Sequence, residues 1–334
     1  MKPRHHTLAA TTLLALAMGP AHAQSSVTVY GVTAVEAVHA TGVNTGTGIG
    51  SQYRLDNSQV SASRLGFRGS EDLGGGLSAV FDITHGMALD TGAQSNATAF
   101  WNRGSWVGLR SKTLGTLSFG RHWNVNDDVM GPYFIFGGYA AFRFTEFGYI
   151  SDLVANSVKY VSPDFNGFTV RGLGGAGEGT TGRTYEVDLR YATGPFSAAV
   201  SYRNARGLSG ATDKLTSGGA SYAFGPVRVH GGLSYADLQA SGHPKARAYD
   251  VGVAWTATPA LVATLDYIAR DQRGTDNDSA FWRLGADYYL SKRTSLIANL
   301  VSLDNKGTAS QRFYGSGAPG QDQDVIALGL RHTF

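Results

Sequence analysis

The chain has 334 residues, 45 of them glycine and none of them cysteine, and 28 Lys and Arg stand against 25 Asp and Glu. Without cysteine it has no disulfide, no thiolate metal site and no cysteine nucleophile. The nearly balanced charge and the lack of a basic run argue against a nucleic-acid partner.

The N-terminus has the three parts of a secretory signal peptide. Lys2 and Arg4 precede an apolar run over 8–18, which is followed by Ala21-His22-Ala23. The run is shorter than the roughly 18 residues of a membrane-spanning helix, so a cleavable peptide is favoured over an anchor. We expect a signal peptide over 1–23 and one mature domain over 24–334, with 26 basic residues remaining against 25 acidic ones.

Apolar and polar residues alternate through the mature chain. Leu65 and Phe67 alternate with Arg64 and Arg68, and a turn with three glycines follows over 71–76. Neighbouring side chains of a strand point to opposite faces, so each such segment has one apolar face. The pattern predicts sixteen strands, at about 26–40, 59–72, 76–89, 99–112, 114–122, 156–162, 167–176, 183–193, 196–207, 214–224, 226–239, 247–257, 260–273, 280–290, 294–304 and 322–334.

The predicted connections alternate in length. Short turns rich in Gly, Pro and Ser alternate with long polar or glycine-rich loops at about 41–58, 90–98, 123–155 and 305–321. Short turns at one end and long loops at the other, with an even number of strands, are typical of an outer-membrane β-barrel. The alternation therefore predicts an all-β fold, a transmembrane antiparallel barrel of 16 strands.

The apolar faces support a membrane barrel over a soluble β-sandwich, whose core faces also alternate. The predicted outward positions are Tyr185, Val187, Leu189 and Tyr191; Phe196, Ala198, Val200 and Tyr202; Trp282, Leu284, Ala286 and Tyr288; and Ile326, Leu328, Leu330 and Phe334. Aromatic residues gather near the strand ends, as in the girdles at membrane interfaces, and the opposite faces carry long charged side chains.

Several motifs resemble the general trimeric porins of β-proteobacterial outer membranes. They are Ser63-Arg64-Leu65-Gly66-Phe67-Arg68-Gly69-Ser70-Glu71-Asp72-Leu73-Gly74-Gly75-Gly76-Leu77, Asn102-Arg103, Val107-Gly108-Leu109, Leu114-Gly115-Thr116-Leu117-Ser118-Phe119-Gly120-Arg121, Asn156-Ser157-Val158-Lys159-Tyr160-Val161-Ser162-Pro163, Asn166-Gly167-Phe168, Leu290-Ser291-Lys292-Arg293-Thr294 and Gly329-Leu330-Arg331-His332-Thr333-Phe334. They are spread over essentially the whole mature chain.

The resemblance implies a homotrimer in outer-membrane lipid, a third long loop folded into each barrel, and a C-terminal Phe334 read by the assembly machinery. Two positions depart from the family pattern. Ala34 stands where the family usually has an Asp, and Leu153 stands where it often has an Arg. Both positions bear on the pore lining, so we expect a charge pattern that differs from that of other members.

The positions opposite the apolar faces predict a basic pore lining. The basic ones are Arg64, Arg68, Arg110, Lys159, Arg171, Arg190, Arg203, Arg228, Arg270, Arg283 and Arg331. The acidic ones are Glu36, Asp82, Glu186, Asp188, Asp250, Asp266 and Asp287. Fixed positive charge in a narrow channel concentrates anions and repels cations. We therefore expect modest anion selectivity, although each single arginine could instead be a wall residue paired with a nearby acid.

The segment 122–155 is the predicted constriction. It is too long for a hairpin loop, and its many aromatic side chains favour burial over exposure to water. The predicted constriction residues are Arg64, Arg68, Arg103, Arg121, Asp127, Asp128, Arg143, Glu146 and Asp152. Strict alternation places Arg103 and Arg121 on the apolar face, so these two need a β-bulge or a position outside the membrane zone. Alternatively, this loop packs against a neighbouring subunit.

Other patterns carry no separate chemistry. Gly172 to Gly177 fits a dinucleotide-binding glycine pattern but leads into a strand, not a helix, and the histidines lack ligand spacing. We expect no cofactor, no metal and no enzymatic activity of the outer-membrane phospholipase kind. The predicted function is passive diffusion of small hydrophilic solutes and anions. The alternatives are a channel preferring small anionic or aromatic metabolites, and a surface adhesin.

Overall fold

The computed structural model describes residues 25–133, 153–179, 182–240 and 245–334. These residues form seventeen strands and one short helix, α1 (Val125–Met130). The strands are β1 (Ser26–Asn44), β2 (Ile49–Asn57), β3 (Arg64–Gly74), β4 (Leu77–Gly86), β5 (Ser105–Ser111), β6 (Gly115–Trp123), β7 (Leu153–Val161), β8 (Phe168–Gly175), β9 (Arg183–Thr193), β10 (Phe196–Arg206), β11 (Thr212–Phe224), β12 (Val227–Leu238), β13 (Ala246–Thr258), β14 (Leu261–Gln272), β15 (Ser279–Tyr289), β16 (Thr294–Asn305) and β17 (Gln323–Thr333).

The strands form one closed antiparallel sheet. Apart from β2 and β3, consecutive strands pair as hairpins, and β17 returns to pair with β1 from Val32 opposite Thr333 to Ala40 opposite Val325. A closed sheet has no edge with unpaired backbone groups, which is what a strand-built structure needs in lipid. No helix among the described residues is long and apolar enough to cross a membrane.

The wall has sixteen strands because β2 and β3 are two halves of one. The first strand pairs with β3 over Ser26–Val32 and with β2 over Val35–Asn44, and residues 58–63 leave the ladder between these stretches. The prediction of sixteen strands is confirmed. The predicted long loop over 41–58 is wrong, because most of it is strand and the first connection spans only 45–48. Its glycines and polar residues suggested a loop, but the backbone pairing with β1 continues there.

Exposure follows the reverse of the rule for soluble proteins. On β9, Tyr185, Val187 and Leu189 are exposed while Glu186 and Asp188 are buried. The other predicted outward sets show the same exposed apolar side chains. A soluble sandwich would bury these residues, so the apolar outer face confirms the membrane barrel.

The two ends of the barrel differ. At the turn end, hairpins close with few residues, and Gly74, Gly75 and Gly76 take φ values of +82°, +59° and +80° that favour glycine. At the loop end, the longer connections include 87–104, the third loop from residue 124 to 152, and the last loop over 306–322. Both the first and the last strand have their chain-terminal ends at the turn end.

One region of the inner wall is apolar. We define the inner apolar patch as Val38, Ala40, Val43, Val301, Leu303, Val325 and Ala327, contributed by β1, β16 and β17 and all buried. Phe313 and Tyr314 of the last loop belong to the same cluster and are 2% and 1% exposed. The last loop therefore covers this part of the wall from the inside.

Candidate functional site: the barrel lumen

The water-accessible side chains of the inner wall are mainly basic. Five of the seven predicted inward acids are buried, namely Glu36, Glu186, Asp188, Asp250 and Asp266. Four of the eleven predicted inward bases are buried, namely Lys159, Arg203, Arg270 and Arg283. That leaves seven arginines at least partly exposed against two acids, Asp82 and Asp287. Some bases are wall residues paired with acids, as with Arg203 and Glu186 at 3.0 Å and Arg331 and Asp287 at 2.9 Å.

The structure places Arg64 and Arg68 together on the inner face of β3. Arg68 lies over the ring of Tyr30, with its Cζ 5.0 Å from the ring centroid. The hydroxyl of Tyr30 donates to Asp82 at 2.8 Å, so this acid is held by a neutral partner beside the arginine. Arg68 is exposed and Arg64 is half-buried.

Arg103 reaches the inner side of the wall through a backbone irregularity. Arg103 N donates to Thr84 O at 3.0 Å, and Thr84 N donates to Gly104 O at 2.9 Å. Two successive residues, Arg103 and Gly104, are therefore paired with the single residue Thr84 of the neighbouring strand. Gly104 has a φ of +132°. A Cβ on Gly86, which is paired with inward-facing Arg64, would meet Arg103 Cδ at 3.0 Å. Such a bulge reverses the alternation and turns the arginine inward.

Arg121 lies opposite Ser105 of β5, on the apolar parity that alternation predicts, and next to a bulge in β7. The pairing of β6 with β7 shifts between Gly120 opposite Ser157 and His122 opposite Val154, which leaves one extra residue on β7. Asn156 in that stretch has a φ of +52°. Arg121 lines a cavity at the loop end with Thr184 and Arg203, which are inner-wall residues.

The first part of the third loop lies against the inner wall. Asn124 caps α1 by accepting from Asp127 N at 2.5 Å. Val125 N donates to Glu186 Oε2 at 2.5 Å, and Lys159 Nζ bonds to Trp123 O at 2.9 Å and to Asp128 Oδ2. Asp128 is thus paired with a wall lysine on β7, while α1 contacts β8 to β11.

The chain continues along the wall to residue 133. Tyr133 is buried and its hydroxyl shares a hydrogen bond with Ser197 Oγ. Arg228 Nη1 donates to Pro132 O at 3.3 Å. The predicted constriction residues Arg143, Glu146 and Asp152 lie outside the described residues. The inward course of the loop beyond residue 133 therefore stays a prediction.

A buried polar network, absent from the predicted site, crosses the inner wall from β12 to β1. His230 Nε2 is 3.3 Å from Asp250 Oδ1 and 3.6 Å from Asp266 Oδ1, and Asp266 Oδ2 is 3.7 Å from Arg283 Nη1. Arg283 Nε donates to Asn299 Oδ1 at 2.7 Å. The sequence shows only that these residues share the inward parity, because the cross-strand register that joins them is non-local.

The network ends at the last loop. Asn299 Nδ2 donates to Glu36 Oε1 at 3.3 Å, Gln59 N donates to Glu36 Oε2 at 3.2 Å, and the Tyr314 hydroxyl donates to the same carboxylate. Glu36 is completely buried. Burial and the neighbouring Glu36 carboxylate raise the pKa of Tyr314 well above its usual value, so its hydroxyl stays a donor.

A Ser–His pair does occur in the wall, but it lacks the geometry of a nucleophile. His122 Nδ1 lies 2.8 Å from Ser157 Oγ, and Ser157 Oγ is within 3.0 Å of Gly120 O and 2.8 Å of Val154 O. Both side chains are buried. Ser157 joins β6 to the bulged β7 and offers no accessible oxygen to a solute. Among the described residues no group of His, Asp and Glu is arranged to hold a metal ion.

Phe334 closes the barrel at the turn end. Its N donates to Gly31 O at 3.1 Å, and Gly31 N donates to its carbonyl oxygen at 3.0 Å. A Cβ on Gly31 would lie 2.4 Å from the Phe334 ring, so the glycine leaves room for the aromatic side chain. The ring is 41% exposed on the outer face. Its role as an assembly signal stays a prediction.

Known proteins resemble this chain over nearly its whole length. The family described as Gram-negative porin matches residues 10–308. Outer membrane porin protein 32 of Delftia acidovorans is 33% identical, over 97% of this chain and 99% of the relative. An outer membrane porin protein of Bordetella pertussis is 26% identical, over 98% of this chain and 99% of the relative.

A solved structure agrees with these relatives. The anion-selective porin from Comamonas acidovorans superposes with a TM-score of 0.80 at 27% identity, covering 93% of this chain and 100% of the other. The closed barrel, its apolar outer face, its basic inner wall and these relatives lead to one conclusion. The chain belongs to the Gram-negative porin family, and it is an outer-membrane channel for passive diffusion, not an enzyme.

Proposed function

We propose that this porin prefers anions among the small hydrophilic solutes that it passes. The observation that supports this proposal is that acidic side chains of the inner wall are more often buried than basic ones. Seven of the predicted inward arginines keep exposed surface, and only two of the predicted inward acids do. A buried ion cannot contact a passing solute, and a buried partner of opposite charge compensates much of its field. The anion-selective porin from Comamonas acidovorans supports the same preference.

The proposed constriction uses the wall arginines and the third loop. Arg64 and Arg68 supply exposed positive charge from β3, Arg103 is turned inward by a bulge, and Arg121 borders a cavity at the loop end that inner-wall residues also line. Asp127 and Asp128 of α1, with Arg143, Glu146 and Asp152 farther along the loop, would face them. Opposed charges across a narrow pore favour polar solutes over apolar ones.

Neutralising Arg64 and Arg68 tests the proposal. In the R64Q/R68Q variant, the excess of five exposed inward charges falls to three, and we expect the zero-current potential across a KCl gradient to shrink by roughly two fifths. The measurement is single-channel recording in a planar bilayer. R293Q removes an exposed arginine in a turn and should leave the potential unchanged. A potential of the sign set by potassium in the unmodified protein would contradict anion preference.

A cavity at the loop end favours a second candidate, a channel that binds a small anionic metabolite on its way through. Arg121, Arg203 and Arg206 line it together with Thr184 and Asp213. Guanidinium groups around a polar cavity can hold a carboxylate or phosphate by paired hydrogen bonds. A site of this kind would give saturable block of chloride current by one class of solute, whereas general diffusion gives a solute flux that rises linearly with concentration.

We further infer a homotrimer, held through the outer face of β1 and the adjoining 87–104 loop. A trimer of OmpT from Vibrio cholerae has been solved, and the two proteins share the fold at 16% identity. In this chain, the outward residues Gly31, Thr33 and Ala37 are small, and Phe100 in the loop is 57% exposed. Replacing Phe100 with Asp should reduce the fraction that migrates as a trimer in unheated gels, without loss of barrel secondary structure.

Processing and assembly complete the proposal. Residues 1–23 lie outside the described part of the chain, and cleavage after Ala23 would leave Gln24 as the N-terminus, which mass spectrometry of the outer-membrane protein can check. Assembly through Phe334 predicts that F334A lowers the amount of folded barrel in the outer membrane. The same variant refolded in detergent separates loss of the signal from loss of the contact with Gly31.

A further inference from the structure

The last loop occupies the lumen, although its polar and glycine-rich sequence suggests an ordinary surface loop. Phe313 and Tyr314 are buried on the inner apolar patch. Without them, the lumen would expose valine, leucine and alanine side chains to water, which is unfavourable. The apolar composition of this wall and the inward position of the loop therefore explain each other.

Polar contacts at its base fix the path of the last loop. Gln323 Oε1 accepts from Phe313 N at 2.7 Å and from Tyr314 N at 3.0 Å, and Gln323 Nε2 donates to Tyr314 O at 2.8 Å. Asn305 similarly joins Gln311 and Gln321 by hydrogen bonds of 2.6 to 3.1 Å. These contacts come from β16 and β17, the two strands that the loop connects, and they hold residues 311–314 of the loop against its own flanking strands.

A side-chain hydrogen bond attaches the middle of the loop to a strand distant in sequence. The Tyr314 hydroxyl donates to the Glu36 carboxylate on β1, where Gln59 N and Asn299 Nδ2 also donate. A backbone bond, from Asn44 N to Ser316 O at 2.9 Å, joins the same strand near the mouth. A hydrogen bond to a charged acceptor contributes more than a neutral one and is costly to remove when buried.

We propose that the Tyr314–Glu36 hydrogen bond is a latch that keeps the last loop folded into the lumen and thereby limits the open cross-section at the mouth of the channel. The two residues act as positioning residues and do not contact the passing solute. With the latch in place, the loop occupies cross-section at the β16–β17–β1 side of the mouth. Without it, the loop loses its side-chain attachment to β1 and keeps only its bonds to Gln323, Asn305 and Asn44, so it moves outward more often and the mouth widens. The proposal rests on the channel function alone and does not require anion preference.

The Y314F variant tests the latch with the smallest possible change, since it keeps the ring on the inner apolar patch and removes only the hydroxyl. We expect a higher single-channel conductance and faster uptake of di- and trisaccharides in proteoliposome swelling. The zero-current potential should stay the same, which separates this test from the test of anion preference. Y288F removes a hydroxyl from an exposed outward tyrosine and serves as the matched control.

The absence of cysteine allows a rescue experiment within one molecule. Asn44 and Ser316 are joined by their backbones, so N44C/S316C should form a disulfide that ties the loop to β1. In the Y314F background, oxidation should return conductance and swelling rates to the unmodified values, and reduction should raise them again. A purely structural effect of Y314F elsewhere in the barrel would not respond to the redox state.

Two results would overturn the latch. One is a Y314F protein whose conductance and sugar uptake equal those of Y288F. The other is a Y314F effect that persists when the 44–316 disulfide is formed, because the loop would then be held while the channel remained wide. E36Q provides an independent variant from the acceptor side, and it should change both quantities in the same direction as Y314F.

Discussion

Replacing Arg283 with Met is expected to lower the free energy of unfolding by about 3–5 kcal/mol, because a buried ion cluster loses its permanent cation. Arg283 is 2% exposed, donates from Nε to Asn299 at 2.7 Å and lies 3.7 Å from Asp266. Asp266 is completely buried, and its other close partner, His230, carries charge only when protonated. The variant would leave the Asp266 carboxylate without a permanent counter-ion.

The measurement is urea-dependent folding into phospholipid vesicles, followed by tryptophan fluorescence. R110M is the matched control, since Arg110 is an inward but exposed arginine, and exposed substitutions usually change stability by about 0.5 kcal/mol or less. D266N/R283M should recover part of the loss, because the double variant removes both charges. Equal stability of R283M and R110M would show that the cluster does not depend on the guanidinium group.

At the neighbouring residue on the same strand, gaining a charge is expected to destabilise the barrel, whereas at Arg283 losing a charge does so. Leu284 is 51% exposed on the outer face, in register with Leu265 on β14 and Leu300 on β16. If this row lies at the centre of the apolar band, L284R should destabilise the folded barrel by about 2–4 kcal/mol, as expected for an arginine at the bilayer midplane.

Depth in the bilayer distinguishes this effect from a general effect of added charge. L290R introduces the same side chain at an exposed leucine beside the β15–β16 turn, where the expected cost is about 0–1 kcal/mol. Both variants can be compared in the same vesicle folding assay. A cost for L284R no greater than that for L290R would place the Leu265–Leu284–Leu300 row outside the apolar band. Together, Arg283 and Leu284 test both faces of one strand.

The largest errors from the sequence occur where the alternation is interrupted. Arg103 follows the apolar parity, and only the bulge near Gly104 turns it inward. The predicted loop over 41–58 is mostly strand, because β1 offers pairing partners that are not visible in local composition. A single inserted residue reverses every later side chain of a strand, so small backbone irregularities have large effects on the lining.

Local pattern determined most of the fold. The period of two along each strand determined which face meets lipid, and the alternation of short turns and long loops determined the two ends of the barrel. Both are properties of neighbouring residues and need no knowledge of distant contacts. The same alternation showed the excess of inward arginines, and the sequence motifs showed the family resemblance.

Tertiary structure decided which of these charges a solute can meet and how much of the lumen is open. Burial of Glu36, Asp250 and Asp266 depends on cross-strand register and on the last loop. Tyr314 of this loop bonds to Glu36 of β1, almost 280 residues away in the chain. Parity assigns these acids and Arg68 to the same inner face, yet only Arg68 is exposed. The physical reason is that exposure depends on what packs above a side chain, and that is fixed by contacts that are distant in sequence.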